Sequence, residues 1–192
     1  MLYWFLFLLL FFCSLQKMVM NDKVVSLINS CMVSAACMFE IANNLDIIFH
    51  PIRPVKEGSH RINYFFMAYI ISDTIFWTTH TKWKYFGHHV ACLLACSFVT
   101  NPAYQFMSLN TTLIFGLELG NMGYHLGSLN LLNRRKAWWC YTIATLFAFI
   151  YSIFWIIYYW QDLSVFTHLV NCIIFICIWR LKAAYKMYLK CI

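Results

Sequence analysis

Two adjacent histidines, His88 and His89, open the apolar run FGHHVACLLACSFV. An ionisable side chain within a membrane-spanning segment is energetically costly, so such residues are candidates for function. An imidazole can remove a proton from an amine or a hydroxyl, or can accept an acyl group itself. A carboxylate such as Asp73 could orient the ring and stabilise its cation. The residue types therefore predict catalysis by His88 or His89, with Asp73 as the catalytic partner.

A second polar set belongs to two other apolar runs. Glu118, Asn121 and His125 are spaced at i, i+3 and i+7, which places them on one face of a helix. Asn29 lies near the start of an earlier run. We predict that these four residues bind the polar part of a substrate.

A metal ion is the other chemistry that these residue types allow. Asp73, one of the two histidines, Glu118 and His125 could hold a metal across several helices. The common helical pattern for a metal places histidines at i and i+4, and the sequence lacks it. We therefore predict no metal ligands and no bound cofactor.

The elements that must position these residues are apolar helices. Of 192 residues, 62% are hydrophobic and 11% are charged, which is typical of a membrane protein. A helix needs about 20 predominantly apolar residues to cross a bilayer. Seven runs approach or meet this length, and the first and fourth are short. The runs cover residues 2–15, 24–43, 62–79, 86–100, 104–124, 137–160 and 163–181.

The basic residues predict how these runs are oriented. Loops after the first, third, fifth and seventh runs carry eleven lysines and arginines, including Arg180, whereas the opposite loops carry three. Cytoplasmic loops are enriched in such residues, so we predict a lumenal N-terminus and a cytosolic C-terminus. The net charge of +7 follows from this bias, and we predict no nucleic-acid partner. In this orientation four helices bring polar groups to the cytosolic half of the membrane, which predicts a shared internal cavity.

Four segments resemble helices of one membrane-protein family. VVSLINSCMVSAA, AYIISDTIFW, GHHVACLLACSF and FGLELGNMGYH are similar to segments of the TLC domain. This family contains ceramide synthases, translocating-chain-associating membrane proteins and smaller TLC-domain-containing proteins. The resemblance runs from about residue 24 to residue 186, and Asp73, the histidine pair and Glu118 match the family pattern.

The resemblance implies an all-α polytopic membrane protein of about seven transmembrane helices. Six of them would form a TLC-type helical barrel around a lipid tunnel. The domains would then be an N-terminal transmembrane anchor over 1–20, the TLC domain over 21–187 and a short cytosolic tail over 188–192. The implied location is the endoplasmic reticulum membrane, and we also expect a homodimer.

Two functional hypotheses follow from the resemblance. The first is lipid metabolism by a ceramide-synthase-like N-acyltransferase, with acyl-CoA as the long-chain acyl donor and membrane lipids as partners. The second is non-catalytic, in which the same cavity binds or senses a lipid or assists cargo trafficking. Ceramide synthases carry an acidic residue shortly before the histidine pair, where this chain has Lys82 and Trp83. The sequence is therefore more similar to the small TLC proteins.

Overall fold

The chain is helical throughout the part that the structure, a computed structural model, describes. Residues 2–19, 21–49, 57–78, 83–100, 107–158 and 167–191 are described. They form eight α-helices and no strand, which confirms the all-α prediction at this level. The helices are α1 (Leu2–Val19), α2 (Asp22–Asn43), α3 (Asp46–Phe49), α4 (Glu57–Asp73), α5 (Trp83–Thr100), α6 (Met107–Ser128), α7 (Arg134–Tyr158) and α8 (Thr167–Tyr188). A π-helical turn, Thr74–Thr78, continues α4.

Each predicted apolar run corresponds to one of the seven long helices. The two short runs belong to α1 and α5, and each of these helices has 18 residues. The helix α8 extends to Tyr188, beyond the predicted end of the last run. The predicted boundaries at 79, 104, 160 and 163 lie outside the described residues. The one-turn helix α3 has no counterpart among the predicted runs.

Two helices of the described ranges meet the length and apolarity needed to cross a membrane. They are α2 and α7. Shorter apolar helical stretches cover Tyr3–Val19 in α1 and Phe86–Ser97 in α5. The coarse prediction of apolar helices compatible with a membrane is therefore met by α2 and α7.

Glycines allow α6 to pack closely against α7. A methyl group added at Gly116 would lie 2.9 Å from Cβ of Ala148, and one added at Gly127 would lie 2.5 Å from Cβ of Ala137. Helix interfaces with small residues let the two backbones approach each other closely. The helix α6 also packs along α2, so it connects the two helices on either side of it.

The remaining helices surround this core and bring their ends to the same place. The helix α1 packs against α4, where the fully buried Phe12 ring contacts Phe65 and Tyr69. The helix α5 packs against α4 and α8. Asn21 caps α2 by accepting hydrogen bonds from the backbone N–H groups of Lys23 and Val24. Residues from the ends of α4 and α6 and from the starts of α2, α5 and α7 lie around one cavity. We call this region the cavity end.

Several polar residues lie inside the bundle beside its apolar core, and many large apolar residues lie on its outer surface. Asn63, Glu118 and Arg180 are buried, whereas Phe154 and Ile157 on α7 are more than half exposed. Arginine and glutamate are almost never fully buried in soluble proteins unless they are paired. Contiguous exposed apolar surface of this kind fits apolar surroundings better than water.

Candidate functional site

A cavity of about 220 Å³ lies at the cavity end and is lined by six helices. Its wall combines ionisable side chains with aromatic ones such as Tyr69, Tyr141 and Trp179. Six of the seven predicted site residues line it: Asp73, His88, His89, Glu118, Asn121 and His125. Residues from α4, α5 and α6 that are distant in sequence are thus brought to one cavity.

His89 is held at both ring nitrogens. Its Nε2 atom lies 3.3 Å from Oδ2 of Asp73, and its Nδ1 atom lies 2.8 Å from Oγ1 of Thr74. The other carboxylate oxygen of Asp73 accepts a 3.4 Å hydrogen bond from the Gln16 side chain on α1. The His89 side chain is therefore fixed by Asp73 and Thr74, at the junction between α4 and its π-helical turn. Gln16 of α1 in turn bonds to Asp73.

The hydrogen atoms shared by His89, Asp73 and Thr74 can be placed in two ways. The Thr74 hydroxyl also lies 2.7 Å from the carbonyl oxygen of Ile70 and can donate its single hydrogen there. In that case His89 Nδ1–H donates to Thr74, and a second proton is shared between Nε2 and Asp73. When Thr74 donates to Nδ1, Nε2–H donates to Asp73. Both arrangements fix the ring, and the charge of His89 is coupled to that of Asp73.

His88 is positioned differently from its neighbour. Its ring stacks on Trp179 of α8, with centroids 6.0 Å apart and an interplanar angle of 10°. The Cys92 sulfur lies 3.8 Å from Nε2, and no oxygen or nitrogen of the described residues hydrogen-bonds to either ring nitrogen. Adjacent helical residues point about 100° apart, so one histidine reaches α4 and the other reaches α8. Of the two adjacent histidines, His88 is therefore the one whose ring nitrogens have only a sulfur contact among the described residues.

Glu118 of α6 also lines the cavity and is 3% exposed. Its Oε2 atom accepts a 2.7 Å hydrogen bond from the Ser30 hydroxyl, and its Oε1 atom accepts a 2.9 Å bond from the Asn121 amide. The carboxylate therefore has a defined orientation set by α2 and α6.

Arg180 corrects the sequence-based topology count, which treated it as a residue of a cytosolic loop. Arg180 lies within α8, is 3% exposed and lines the cavity. It donates to Asn121 Oδ1 at 2.9 Å, to the Leu117 carbonyl at 2.6 Å and to Thr145 Oγ1 at 3.3 Å. The guanidinium also lies 4.7 Å from the centroid of the Tyr141 ring. Arg180 therefore joins α6, α7 and α8.

A pattern in the sequence could have revealed the burial of Arg180. Cys177 and Ala184 are buried, and Arg180 falls between them at spacings of three and four residues on the same face. Lys182 and Lys186 fall off this face and are exposed. Hydropathy counting ignores helix faces, so it grouped Arg180 with the exposed lysines.

Asn29 is the predicted site residue that does not line the cavity. Its side chain is fully buried on α2, and neither of its polar atoms has a hydrogen-bond partner among the described residues. His125 does line the cavity, and its ring meets the Tyr124 ring edge-on at 5.3 Å. Within the described ranges, no three His, Cys, Asp or Glu side chains are grouped so that they could hold a metal ion.

Comparison with protein-family models, curated proteins and solved structures gives no match for this chain. The argument for a function therefore rests on the geometry of the cavity. That geometry provides an available imidazole on α5, a second imidazole held by a carboxylate, and a buried guanidinium facing the same space. Such a set can accept a proton and can bind a polar group that enters from apolar surroundings.

Proposed function

We propose that this chain is an integral membrane protein that transfers a long-chain acyl group to an amine or hydroxyl of a lipid. His88 acts as the general base in this reaction. The observation that carries the proposal is the arrangement of the two adjacent histidines, His88 and His89, at the cavity. His88 has ring nitrogens available to a ligand and stands beside His89, whose own nitrogens are held by Asp73 and Thr74. A ligand can therefore reach one imidazole in a prearranged setting.

The membrane part of the proposal is supported by the distribution of residues. The outward faces of α1, α7 and α8 are apolar, the interior contains Glu118 and Arg180, and α2 and α7 meet the length of a span. In the proposed arrangement all seven long helices cross the endoplasmic reticulum membrane. Six of them form the TLC-type barrel, the N-terminus is lumenal and the C-terminus is cytosolic. The cavity end then faces the cytosol, where acyl-CoA is dissolved.

The proposed chemistry follows from the position of His88. The acceptor amine or hydroxyl loses its proton to His88 as its nitrogen or oxygen attacks the carbonyl carbon of the acyl thioester. A new carbon–nitrogen or carbon–oxygen bond forms, and the carbon–sulfur bond breaks. The departing thiolate takes the proton from the His88 imidazolium. Stacking on Trp179 holds the imidazole in place, and the lipid chains lie among the apolar helices.

A second candidate function is lipid binding without catalysis, which would serve lipid sensing, lipid homeostasis or cargo trafficking. The observation that favours it is that the carboxyl groups of Glu118 and Asp73 already have partners within the protein. Glu118 is hydrogen-bonded by Ser30 and Asn121, and Asp73 is bonded by Gln16 and contacts His89. A ligand would then meet a wall whose carboxylates already have protein partners. Such a wall suits recognition without proton transfer.

An acyl-transfer assay distinguishes the two candidates. Microsomes containing the wild type, His88→Gln or His60→Gln would receive labelled long-chain acyl-CoA and a panel of amine and hydroxyl lipids. Because general base catalysis contributes about 10²–10⁴-fold, we expect His88→Gln to reduce the new acyl lipid by at least about 100-fold. His60 is a partly exposed residue in the first turn of α4, away from the cavity, so His60→Gln is the matched control.

Two outcomes would contradict catalysis by His88. An inserted wild-type protein that makes no product with any acceptor would favour the lipid-binding function. Equal product from the wild type and His88→Gln would show that another group accepts the proton. Mass spectrometry of the extracted lipids provides the measurement in both cases.

A further inference from the structure

Among the described residues, no carboxylate pairs directly with the buried guanidinium of Arg180, which lines the cavity. We propose that Arg180 binds the acidic head of a long-chain amphiphile, a carboxylate or a phosphate, inside the cavity. This inference relies on the proposed function only for the membrane setting and does not need acyl transfer to occur.

The electrostatic setting of Arg180 is the first argument. Arg180 is 3% exposed, and its hydrogen-bond acceptors are an amide, a hydroxyl and a backbone carbonyl, which are all neutral. No carboxylate of the described residues lies within ion-pair distance of the guanidinium. A buried charge without a direct counter-ion is costly even when it is hydrogen-bonded. An anionic ligand in the cavity would offset that cost.

The donor count of the guanidinium is the second argument. A guanidinium has five N–H groups, and three of them are used by Asn121, Leu117 and Thr145. Within the described residues, one N–H on each terminal nitrogen therefore has no hydrogen-bond acceptor, and Arg180 lines the cavity. Two donors on a planar fork match two oxygens of a carboxylate or a phosphate.

The neighbouring acidic residues form their hydrogen bonds with other side chains, so the guanidinium of Arg180 can bind a ligand. Glu118 lies close enough to Arg180 for a charge interaction but makes no direct hydrogen bond to it, because both of its oxygens accept hydrogen bonds from Ser30 and Asn121. Asp73 is occupied by Gln16 and His89. The cavity of about 220 Å³ is smaller than the roughly 300–1,000 Å³ of sites that enclose a whole drug-sized ligand. It therefore suits a headgroup whose apolar chain extends between the helices or into the bilayer.

Gly120 shows that the protein makes room for the guanidinium. A Cβ atom added at Gly120 would lie 2.8 Å from Nη2 of Arg180 and 3.3 Å from the Tyr141 carbonyl oxygen. The absence of a side chain there lets the guanidinium lie against the backbone of α6. Gly120→Ala would displace Nη2 without removing the charge, and it provides a second variant that is independent of Arg180 itself.

The test compares three probes of equal chain length on the purified full-length protein in lipid nanodiscs. The probes are a fluorescent C16 carboxylic acid, the matching alkyl phosphate and the matching primary alcohol. We expect the wild type to bind at least one acidic probe about tenfold more tightly than the alcohol, because hydrogen bonds to charged groups are the strong ones. The preferred acidic probe identifies the source of the anion.

The variants assign this preference to one residue. We expect Arg180→Met to remove the preference for the acidic probe. Lys182→Met removes an exposed cation from the same helix and should leave the preference unchanged. A wild type that binds the acid and the alcohol equally, or an Arg180→Met variant that keeps the preference, would overturn the proposal.

Further controls keep the test decisive. If Arg180→Met does not purify as a monodisperse protein, Gly120→Ala decides: a reduced preference supports the site, and an unchanged preference overturns it. The acid preference is measured by binding without acyl-CoA, whereas acyl transfer is measured by the new acyl lipid that forms. The failure of the anion site and the failure of the proposed function are therefore separate results.

Discussion

At the scale of single residues, the contacts of His89 depend on two consecutive residues of α4. Asp73 is the last residue of the α-helix, and Thr74 is the first of the π-helical turn. A π-helical turn changes the direction of the side chains that follow it, and such turns occur frequently at functional sites. The irregular turn lets neighbouring residues contact both nitrogens of one ring. We therefore regard Thr74 as a positioning residue that acts through His89.

Substitution of Thr74 tests this positioning role. Thr74→Val removes the hydroxyl while nearly keeping the side-chain shape, and it removes the 2.8 Å contact between that hydroxyl and His89 Nδ1. We expect the free energy of unfolding to fall by about 0.5–1.5 kcal/mol, the net contribution of one hydrogen bond. We expect Thr74→Ser to restore both the stability and the rate constant kcat, which thermal unfolding and the acyl-transfer assay would measure. If Val and Ser behave alike, the hydroxyl does not hold His89.

At the scale of the helices, the sequence predicts much of the structure but not the rotation of each helix. Each long apolar run predicted a helix, and each long helix of the described ranges corresponds to a run. The spacing of Glu118, Asn121 and His125 predicted a shared face, and all three line the cavity. Arg180 was assigned to a loop, because hydropathy gives the limits of a run but not the face that packs inside.

Some contacts depend on three-dimensional packing that the sequence pattern does not contain. Gln16 reaches Asp73 across 57 positions of the chain, and Ser30 reaches Glu118 across 88. Asn29 lies one position before Ser30 and belongs to the same polar segment of α2, but only the hydroxyl of Ser30 bonds to Glu118. Such a difference follows from the approach of α2 to α6, which a single sequence does not specify.

The close approach of α6 and α7 gives a prediction at this scale. Gly116→Ala places a methyl group 2.9 Å from Cβ of Ala148 and 3.3 Å from the Ala144 carbonyl oxygen. We expect this overpacking to reduce the free energy of unfolding by about 1–3 kcal/mol. Gly87→Ala is the control, because its nearest contact outside α5 is 3.9 Å from the added methyl group. Alanine is the better helix former, so the control should be neutral or slightly stabilising. Equal Tm values for both variants in detergent would contradict close packing at Gly116.

At the scale of the whole molecule, the bundle buries polar groups beside an apolar core and also exposes many large apolar side chains. The cavity is lined by three carboxylates, one guanidinium and three imidazoles, and the outer faces of the bundle present isoleucine and phenylalanine. In a membrane, polar residues that face the inside of a bundle commonly mark a substrate pathway. Under the proposed function, a lipid would present its headgroup to the cavity while its chains stay in apolar surroundings.

The most direct test of this account is to locate a bound lipid by photo-crosslinking in membranes. The probe carries a diazirine beside its acidic headgroup and an alkyne for recovery, and mass spectrometry of peptides locates the adducts. We predict adducts in segments 117–125 and 179–183, and we predict that excess unlabelled acidic lipid removes them. A probe with the diazirine at the end of its chain should mark the outer faces and serves as the control. Headgroup adducts confined to outward residues of α7 such as Ile150 and Phe154, unaffected by competitor, would contradict the account.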